Sequence, residues 1–545
     1  MKELVKKKVE NAVNHLIKRK DFFLFGVPEF QVEYPDQEKF GDYSTNIAMV
    51  LASKLKRNPM EIAEMIVKHL EGPAFTKVDV APPGFINFFI GTNYLHRELA
   101  KILDEKNNYG KKDLGKNKKI QLEFISGNPT GPLHMGNGRG GFTGDVLTNV
   151  LRKEGYKPYK EYYINDFGKQ IETLGESVIR RYFQSQGVKV DFPEELYQGE
   201  YIKDLAEEIK IDDFNISDKK KFARVKDKVK KEALEKMIKN TQDVLQKKCG
   251  IKYNQWFRES FLYEDNAQEK ALDKLKKKDL IYVKEGAVWF KSMQFGDDKD
   301  RVVIKKDGNP TYFFSDILYM ENRLMKRKYS KVIMILGADH HGDIARLKAA
   351  AEILDKKDAL DVIIYQNVRL IFKGKELKMS KRKGVFVTLD ELVDEVGIDA
   401  MRFFFLMNSL DKHMDFDISL AKEKSDKNPV YYVQYAHARI YSILEKIKKA
   451  EPAKKIELRE ASEKALLNEI IKFPDILEEV ATTYEVHKLP FYSIEIARKF
   501  HNFYNQCRVI EDEKVNASRV ELIKATKEVL ENVLALMGVS APKKM

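Results

Sequence analysis

Two stretches of the chain carry residues whose types and spacing suit chemistry on phosphates. Leu122 to Gly140 reads LEFISGNPTGPLHMGNGRG, and Lys373 to Gly384 reads KGKELKMSKRKG. In the first, Gly131 and Pro132 lead into His134, Gly136 and Asn137, which stand where an extended run gives way to a helical one. Free N-H groups at a helix start favour anions, and glycines let a ligand approach the backbone, so this is a place for nucleotide phosphates. The second is a basic loop bounded by glycines, with Met379 and Ser380 between Lys378 and Lys381. Such a loop supplies positive charge where negative charge redistributes over phosphates during a displacement. No Ser-His-Asp or Cys-His set stands out, so catalysis would come from positioning and electrostatics rather than a covalent intermediate.

The elements needed to hold these stretches can be read around them. Lys119 to Ile125 alternates like a strand and Gly127 to Pro132 breaks it. Val146, Leu147, Val150 and Leu151 then recur at helical spacing until Gly155. Tyr159–Ile164 and Val332–Leu336 read as strands, Gln170–Phe183 and Asp343–Leu354 as helices, and Val362–Ile371 as a strand feeding the basic loop. Alternation of this kind over 113–420 predicts an α/β domain with a parallel, Rossmann-like sheet. Gln198–Lys248 interrupts it as a long Lys/Glu-rich helical insertion, whose Lys228, Lys230 and Lys231 face either RNA or solvent. Residues 1–112 read as a smaller α+β domain. In it, Gly41–Leu55 is a helix capped by Ser44 or Thr45, another helix runs from Asn58-Pro59 to about Leu70, and Phe85–Ile90 is a strand. Residues 421–545 show helices and no strand pattern: Val430–Lys448, Glu457–Val486, Ile494–Glu511 and Ser518–Met537. This predicts an all-α bundle, basic at Lys446, Lys448, Lys449, Lys454 and Lys455.

Composition bounds the function. The 545 residues carry 97 Lys+Arg against 84 Asp+Glu, a net charge of +13, which suits a polyanionic partner. Cys249 and Cys507 are too few and too far apart for a disulfide framework or a cysteine zinc site. Met1–Val13 lacks the apolar core of a signal peptide, and no apolar run is long enough to span a bilayer. The expected location is the cytoplasm, with no membrane partner.

Asn128-Pro129-Thr130-Gly131-Pro132-Leu133-His134-Met135-Gly136-Asn137 resembles the HIGH signature of class I aminoacyl-tRNA synthetases, in the form typical of arginyl-tRNA synthetases. Asn137 stands where the family has its second His. Lys378-Met379-Ser380-Lys381-Arg382 resembles the KMSKS signature, about 240 residues later. Phe40–Ile66, Glu391–Met407, Tyr435-Ala436-His437-Ala438-Arg439 and Met537–Pro542 are also similar to arginyl-tRNA synthetases, so the likeness spans the chain. It implies ATP as cosubstrate with Mg2+, arginine and its tRNA as partners, activation that depends on bound tRNA, transfer to the 2′-hydroxyl of the terminal adenosine, and a monomer. It implies catalytic roles for His134, Asn137, Lys378 and Lys381. Gly131, Pro132, His134, Gly136, Asn137, Met379, Ser380 and Lys381 would surround ATP, with Lys381 on the β- and γ-phosphates. The N-terminal domain would contact the tRNA elbow and the helical bundle the anticodon, where Tyr431, Tyr432 and Tyr435 are either stacking platforms or core.

A guanidinium presents five donors in a planar fork and is best read by carboxylates. By resemblance, Glu123, Tyr312 and Asp316 would hold it, Asn128 would bind the backbone groups of the amino acid, and Asp339 or His340 would line the pocket. From the residues alone, Asp316 also reads as a helix N-terminal acid and Tyr312 as a core aromatic. Asp339-His340-His341 after an apolar strand also suits a metal site of a phosphoesterase. Two further readings compete: a class I synthetase for another amino acid, and a synthetase-like RNA-binding protein without catalysis.

Overall fold

The computed structural model describes the chain except for residues 36, 71–73, 167, 213, 378–387, 448–452, 454 and 512–513. The second signature, with Lys378, Met379, Ser380 and Lys381, therefore lies outside the described residues, as do Lys448, Lys449 and Lys454.

The chain opens with α1 (Lys2–Lys18), whose Val5, Val9, Ala12, Val13 and Leu16 are buried. Then come β1 (Val32–Glu33), β2 (Tyr43–Thr45), α2 (Ile47–Leu55), α3 (Pro59–Val67), β3 (Phe75–Ala81), β4 (Phe85–Ile90) and α4 (Thr92–Glu105). The strands form an antiparallel sheet in the order β1-β2-β4-β3. The helix expected over Gly41–Leu55 thus begins only at Ile47. Tyr43 and Thr45 are strand residues opposite Phe88 and Ile86, and the Thr45 hydroxyl donates to Gln31 O at 2.7 Å and accepts from Ile47 N, the first residue of α2, at 3.4 Å. The next helix ends at Val67 rather than near Leu70.

The central region holds β5 (Lys119–Phe124), α5 (Met135–Lys153), β6 (Lys157–Ile164), α6 (Lys169–Ser185), α7 (Tyr201–Glu208), α8 (Lys219–Asp243) and β7 (Gln255–Arg258). It continues with α9 (Ala267–Lys277), β8 (Ile281–Lys284), β9 (Ala287–Phe290), β10 (Arg301–Ile304), α10 (Tyr312–Glu321), β11 (Lys331–Gly337), α11 (Ile344–Glu352) and β12 (Leu360–Tyr365). Five strands make a parallel sheet in the order β12-β11-β5-β6-β7. From β5 the chain winds one way to β6 and β7, and β11 and β12 lie on the other side. The topological switch point is therefore between β5 and β11, where open α/β sheets bind ligands beyond the strand C-termini. The insertion is two helices, α7 and α8, rather than one, because Asp218 caps a fresh start by accepting from Lys220 N and Lys221 N. Strands β8 to β10 form a separate antiparallel sheet that the sequence reading did not resolve.

The strand expected over Val362–Ile371 is two. Strand β12 ends at Tyr365, and β13 (Val368–Phe372) joins a second small sheet with β14 (Lys375–Glu376) and β15 (Met414–Asp417). Between them Gln366 N donates to Leu410 O. Helices α12 (Leu389–Val396), α13 (Ile398–Leu406) and α14 (Ile418–Ala421) complete this region. The last part packs α15 (Pro429–Lys446), α16 (Ala461–Ile470), α17 (Phe473–Thr483), α18 (Lys488–Gln506) and α19 (Ala517–Met537). It is not wholly helical: β16 (Ile510–Glu511) pairs with β17 (Lys514–Val515) as a short hairpin.

Candidate active site

Helix α5 sits on the sheet more closely than side chains would allow. A Cβ on Gly144 would lie 2.4 Å from the Phe124 ring, and one on Gly140 2.7 Å from Tyr365. Glycine costs about 1 kcal/mol in a helix interior relative to alanine, so close seating is what these positions gain. It brings the start of α5 to the C-terminal end of β5. His134 is the N-cap residue in extended conformation. The Asn137 side-chain oxygen accepts from His134 N at 3.0 Å, which satisfies one free donor of the helix start and directs the amide NH2 away from it.

The start of α5 is tied to Thr388 and Leu389. His134 forms an antiparallel bridge with Thr388, and Leu389 N donates to Leu133 O at 2.8 Å. Thr388 is the first described residue after 378–387. Thr388 and Glu391 form a reciprocal capping box that fixes the start of α12. Gly131 and Pro132 are half-buried in the loop before His134. That loop is held from above by the Tyr201 hydroxyl, which donates to Thr130 O at 2.7 Å. Asn128 is exposed, and its carbonyl accepts from Thr130 N at 2.8 Å.

Across the switch point lies a group of acids, Glu123 and Glu259 buried and Asp316 half-buried. Glu123, in β5, accepts from Arg323 Nη1 at 2.6 Å, and burial still pushes its carboxyl above the ordinary range. Asp316, one turn after Tyr312 in α10, is pushed up to about 7 by burial, with Glu123 and Glu259 adding to the rise against the opposing pull of Arg323. Glu259 is buried, accepts from Ser315 Oγ at 2.6 Å, and is also raised by burial. Tyr163 lies among these three carboxyls. Arg346, the next cation, already contacts Asp343. Glu161 is matched separately by Arg327, with Tyr319 and Gln121 also on it. Among the described residues the three carboxyls of Glu123, Asp316 and Glu259 stand beside one fully buried guanidinium, that of Arg323.

Tyr312 is exposed at the start of α10. Asp339 and His340 lie in the turn Ala338–Asp343 after β11, with Asp339 exposed and His340 Nδ1 3.0 Å from Asp343. The fold thus sets Glu123 beside Asp316 and His134 beside Asn137, the latter pair at the start of the helix that follows β5, and leaves Tyr312, Asn128, Asp339 and His340 exposed. Sequence reasoning missed Arg323, Glu259, Tyr163 and Thr388. Arg323 and Glu259 carry no local motif, and only the folded sheet aligns them with Glu123. Among the described residues no group of three or more His, Cys, Asp or Glu side chains is placed to hold a metal ion.

Comparison with known proteins agrees with this architecture. Residues 2–90 match the arginyl tRNA synthetase N-terminal domain, 98–423 the class I (R) tRNA synthetase catalytic domain, and 433–545 the DALR anticodon binding domain. An arginine–tRNA ligase of Carboxydothermus hydrogenoformans is 43% identical over 95% of this chain and 94% of its own. One from Bacillus subtilis is 43% identical over 95% of both. The Thermus thermophilus arginyl-tRNA synthetase structure superposes over 100% of both chains with a TM-score of 0.79 at 20% identity, a likeness of fold. With three consecutive family domains matched and relatives above 40% identity along nearly its whole length, the chain belongs to the arginyl-tRNA synthetase family.

Proposed function

We propose that the chain ligates L-arginine to its tRNA at the expense of ATP. The arginine carboxylate attacks the α-phosphate, pyrophosphate leaves, and the arginyl group of the adenylate then passes to the 2′-hydroxyl of the terminal adenosine with release of AMP. The observation that carries the choice of arginine is the grouping of Asp316 with Glu123 and Glu259, in which burial pushes the Asp316 carboxyl up to about 7. Asp316 and Glu123 would take the guanidinium, with Tyr312 over it, Asn128 on the amino acid's backbone groups, and Asp339 or His340 closing the rim. His134 and the amide of Asn137 would donate to the phosphates at the start of α5, with Gly131, Pro132 and Gly136 allowing close approach. Lys381 and Lys378, with Met379 and Ser380, would close over the β- and γ-phosphates. Magnesium would arrive with the nucleotide and be held by the phosphates, since the described residues offer no carboxylate cage for it.

Residues 1–112 would bind the tRNA elbow, 113–420 would do the chemistry, and 421–545 would read the anticodon. Tyr435 supports the last assignment. It is partly exposed, its ring is near-parallel to Tyr431 at 6.3 Å, and the Arg439 guanidinium lies 5.0 Å from it, a face suited to an unpaired base. We place the protein in the cytoplasm as a monomer. No described helix is long and apolar enough to cross a membrane.

Pyrophosphate exchange with each of the twenty amino acids, with and without tRNA, tests this reading. Exchange should appear with arginine alone and only with tRNA present. His134→Ala should lower the rate about 100- to 1,000-fold, and Lys381→Ala should lose turnover while keeping tRNA affinity. Exchange with a different amino acid would overturn the pocket assignment. Binding of tRNA with no exchange for any amino acid would favour a catalytically silent RNA-binding protein.

A further inference from the structure

The insertion helix α8 is charged well beyond what its packing uses. Between Lys219 and Lys231 it has eight cationic residues and one acid, Asp227. The helix sorts them onto faces. Val229, Ala233 and Met237 are buried against α6 and α7. Lys226 and Lys230 turn toward α6, where both reach Glu172, Lys226 at 3.3 Å. Lys231 is spent on Asp227 at 3.0 Å. Lys220, Lys221, Arg224 and Lys228 point outward, are exposed, and have no acidic partner among the described residues. Lys220, Arg224 and Lys228 recur every four residues, so they form one stripe with about 6 Å of rise between cations, similar to the spacing of successive phosphates along a nucleic-acid strand. Like charges at this spacing weaken a helix by a few tenths of a kcal/mol per pair, a cost that an anionic partner removes.

The position of α8 selects that partner. The insertion is tied to the rim of the crevice by the Tyr201 to Thr130 hydrogen bond. The C-terminal half of α8 is fixed to the sheet edge by Arg258, which binds both oxygens of Glu235 at 2.7 and 2.8 Å. Its N-terminal half projects from there, ending at a cleft of about 350 Å³ lined by Arg180, Lys189, Lys219 and Phe222 with Asp191. A membrane surface does not fit, because the apolar face of α8 is already buried.

We infer that the outward stripe Lys220–Arg224–Lys228 of α8 is a docking surface for the sugar-phosphate backbone of the tRNA strand that enters the crevice. This rests on tRNA being the substrate, as proposed above. The stripe contributes affinity and orientation to that strand and takes no part in the reaction itself.

The test is steady-state arginylation by the full chain carrying Lys220→Gln, Arg224→Gln and Lys228→Gln together, beside a charge-matched variant, Lys276→Gln/Lys277→Gln/Lys284→Gln, on exposed residues of α9 and β8. The α8 variant should raise KM for tRNA about tenfold and lower the slope of log affinity against log salt by about two. Its kcat at saturating tRNA and its KM for arginine and ATP should stay at the wild-type values, and the matched variant should change little. If wild type charges tRNA and the α8 variant keeps both its KM for tRNA and its salt slope, the inference is overturned. It is equally overturned if both variants weaken tRNA binding to the same extent, since the effect is then one of net charge. If wild type charges no tRNA with arginine, the parent reading fails and this one with it.

Discussion

Asp316 is the residue whose environment speaks most directly about a ligand. Its carboxyl sits near pKa 7 in the unliganded protein, so around pH 6 it is mostly protonated and cannot pair fully with a guanidinium. Binding arginine must release that proton, and affinity should therefore rise with pH through about 7 and level off above it, by at most tenfold per unit. The stability of the unliganded protein runs the opposite way. A raised folded-state pKa means that more protons are bound folded than unfolded between about 4 and 7, so this group's contribution declines as pH rises across that window. Calorimetry of arginine binding from about pH 6 to about pH 8, in buffers of different ionisation enthalpy, should show proton release that disappears in Asp316→Asn. A pH-independent affinity in wild type would mean that Asp316 does not meet the guanidinium. Glu123 differs because Arg323 already occupies one of its oxygens. The pocket thus contains a permanent guanidinium beside the place proposed for a substrate one. Asn137 acts at the same scale: its oxygen caps His134 N, and its NH2 is the donor proposed for a phosphate.

At the scale of elements, what the sequence revealed and what it hid follow from how local each signal is. The strand, glycine break and helix around His134 were legible because all three signals are adjacent in the chain. The helices of the C-terminal bundle were legible because apolar spacing persists over many turns. Tyr43–Thr45 was not, since pairing with β1 on one side and β4 on the other makes those three residues extended. The break at Gln366 was hidden because only the polar pair Gln366-Asn367, without Gly or Pro, separates two apolar runs; it is fixed by Arg139, which donates to Gln366 O at 2.7 Å from α5. The glycines of α5 read as openings for a ligand, and Gly140 and Gly144 are contact points with the sheet. Gly144→Ala tests this. Improved helix propensity would add about 1 kcal/mol. The new methyl, however, meets the Phe124 ring, which is fully buried and packed on Tyr253, at an overpacking cost of about 1–3 kcal/mol. Thermal unfolding should show a lower Tm for the variant; a raised Tm would mean that α5 can lift off the sheet freely.

At the scale of the molecule, the regions are held together by a few buried polar knots. Asp475 in α17 accepts from Lys2 N at 3.2 Å and from the Tyr34 and Tyr43 hydroxyls at 3.1 and 3.4 Å, joining the N-terminal region to the helical bundle. Asp399 in α13 accepts from Ser540 N and Gln434 Nε2 at 2.9 and 2.8 Å, and His437 Nδ1 lies 2.9 Å from Pro542 O, so the tail after α19 is clasped by α13 and α15. The centre of this clasp is Arg402, fully buried, which donates to Met537 O at 2.7 Å and to Cys249 O at 2.8 Å and pairs with Asp145 of α5. One guanidinium therefore joins the active-site helix, the end of the insertion and the C-terminus of the bundle. Arg402→Met keeps bulk but leaves two carbonyls unpaired and Asp145 dependent on Lys160 alone, which is 2.7 Å away. The cost should be about 3–5 kcal/mol, felt first where the bundle meets α5. Hydrogen exchange should accelerate at the last turn of α19 and at Gly538–Ser540 while the amides of β5 and β11 keep their protection. Uniform acceleration throughout would instead mark Arg402 as general core, and unchanged exchange at α19 would remove it as the link between the active-site helix and the anticodon-binding bundle.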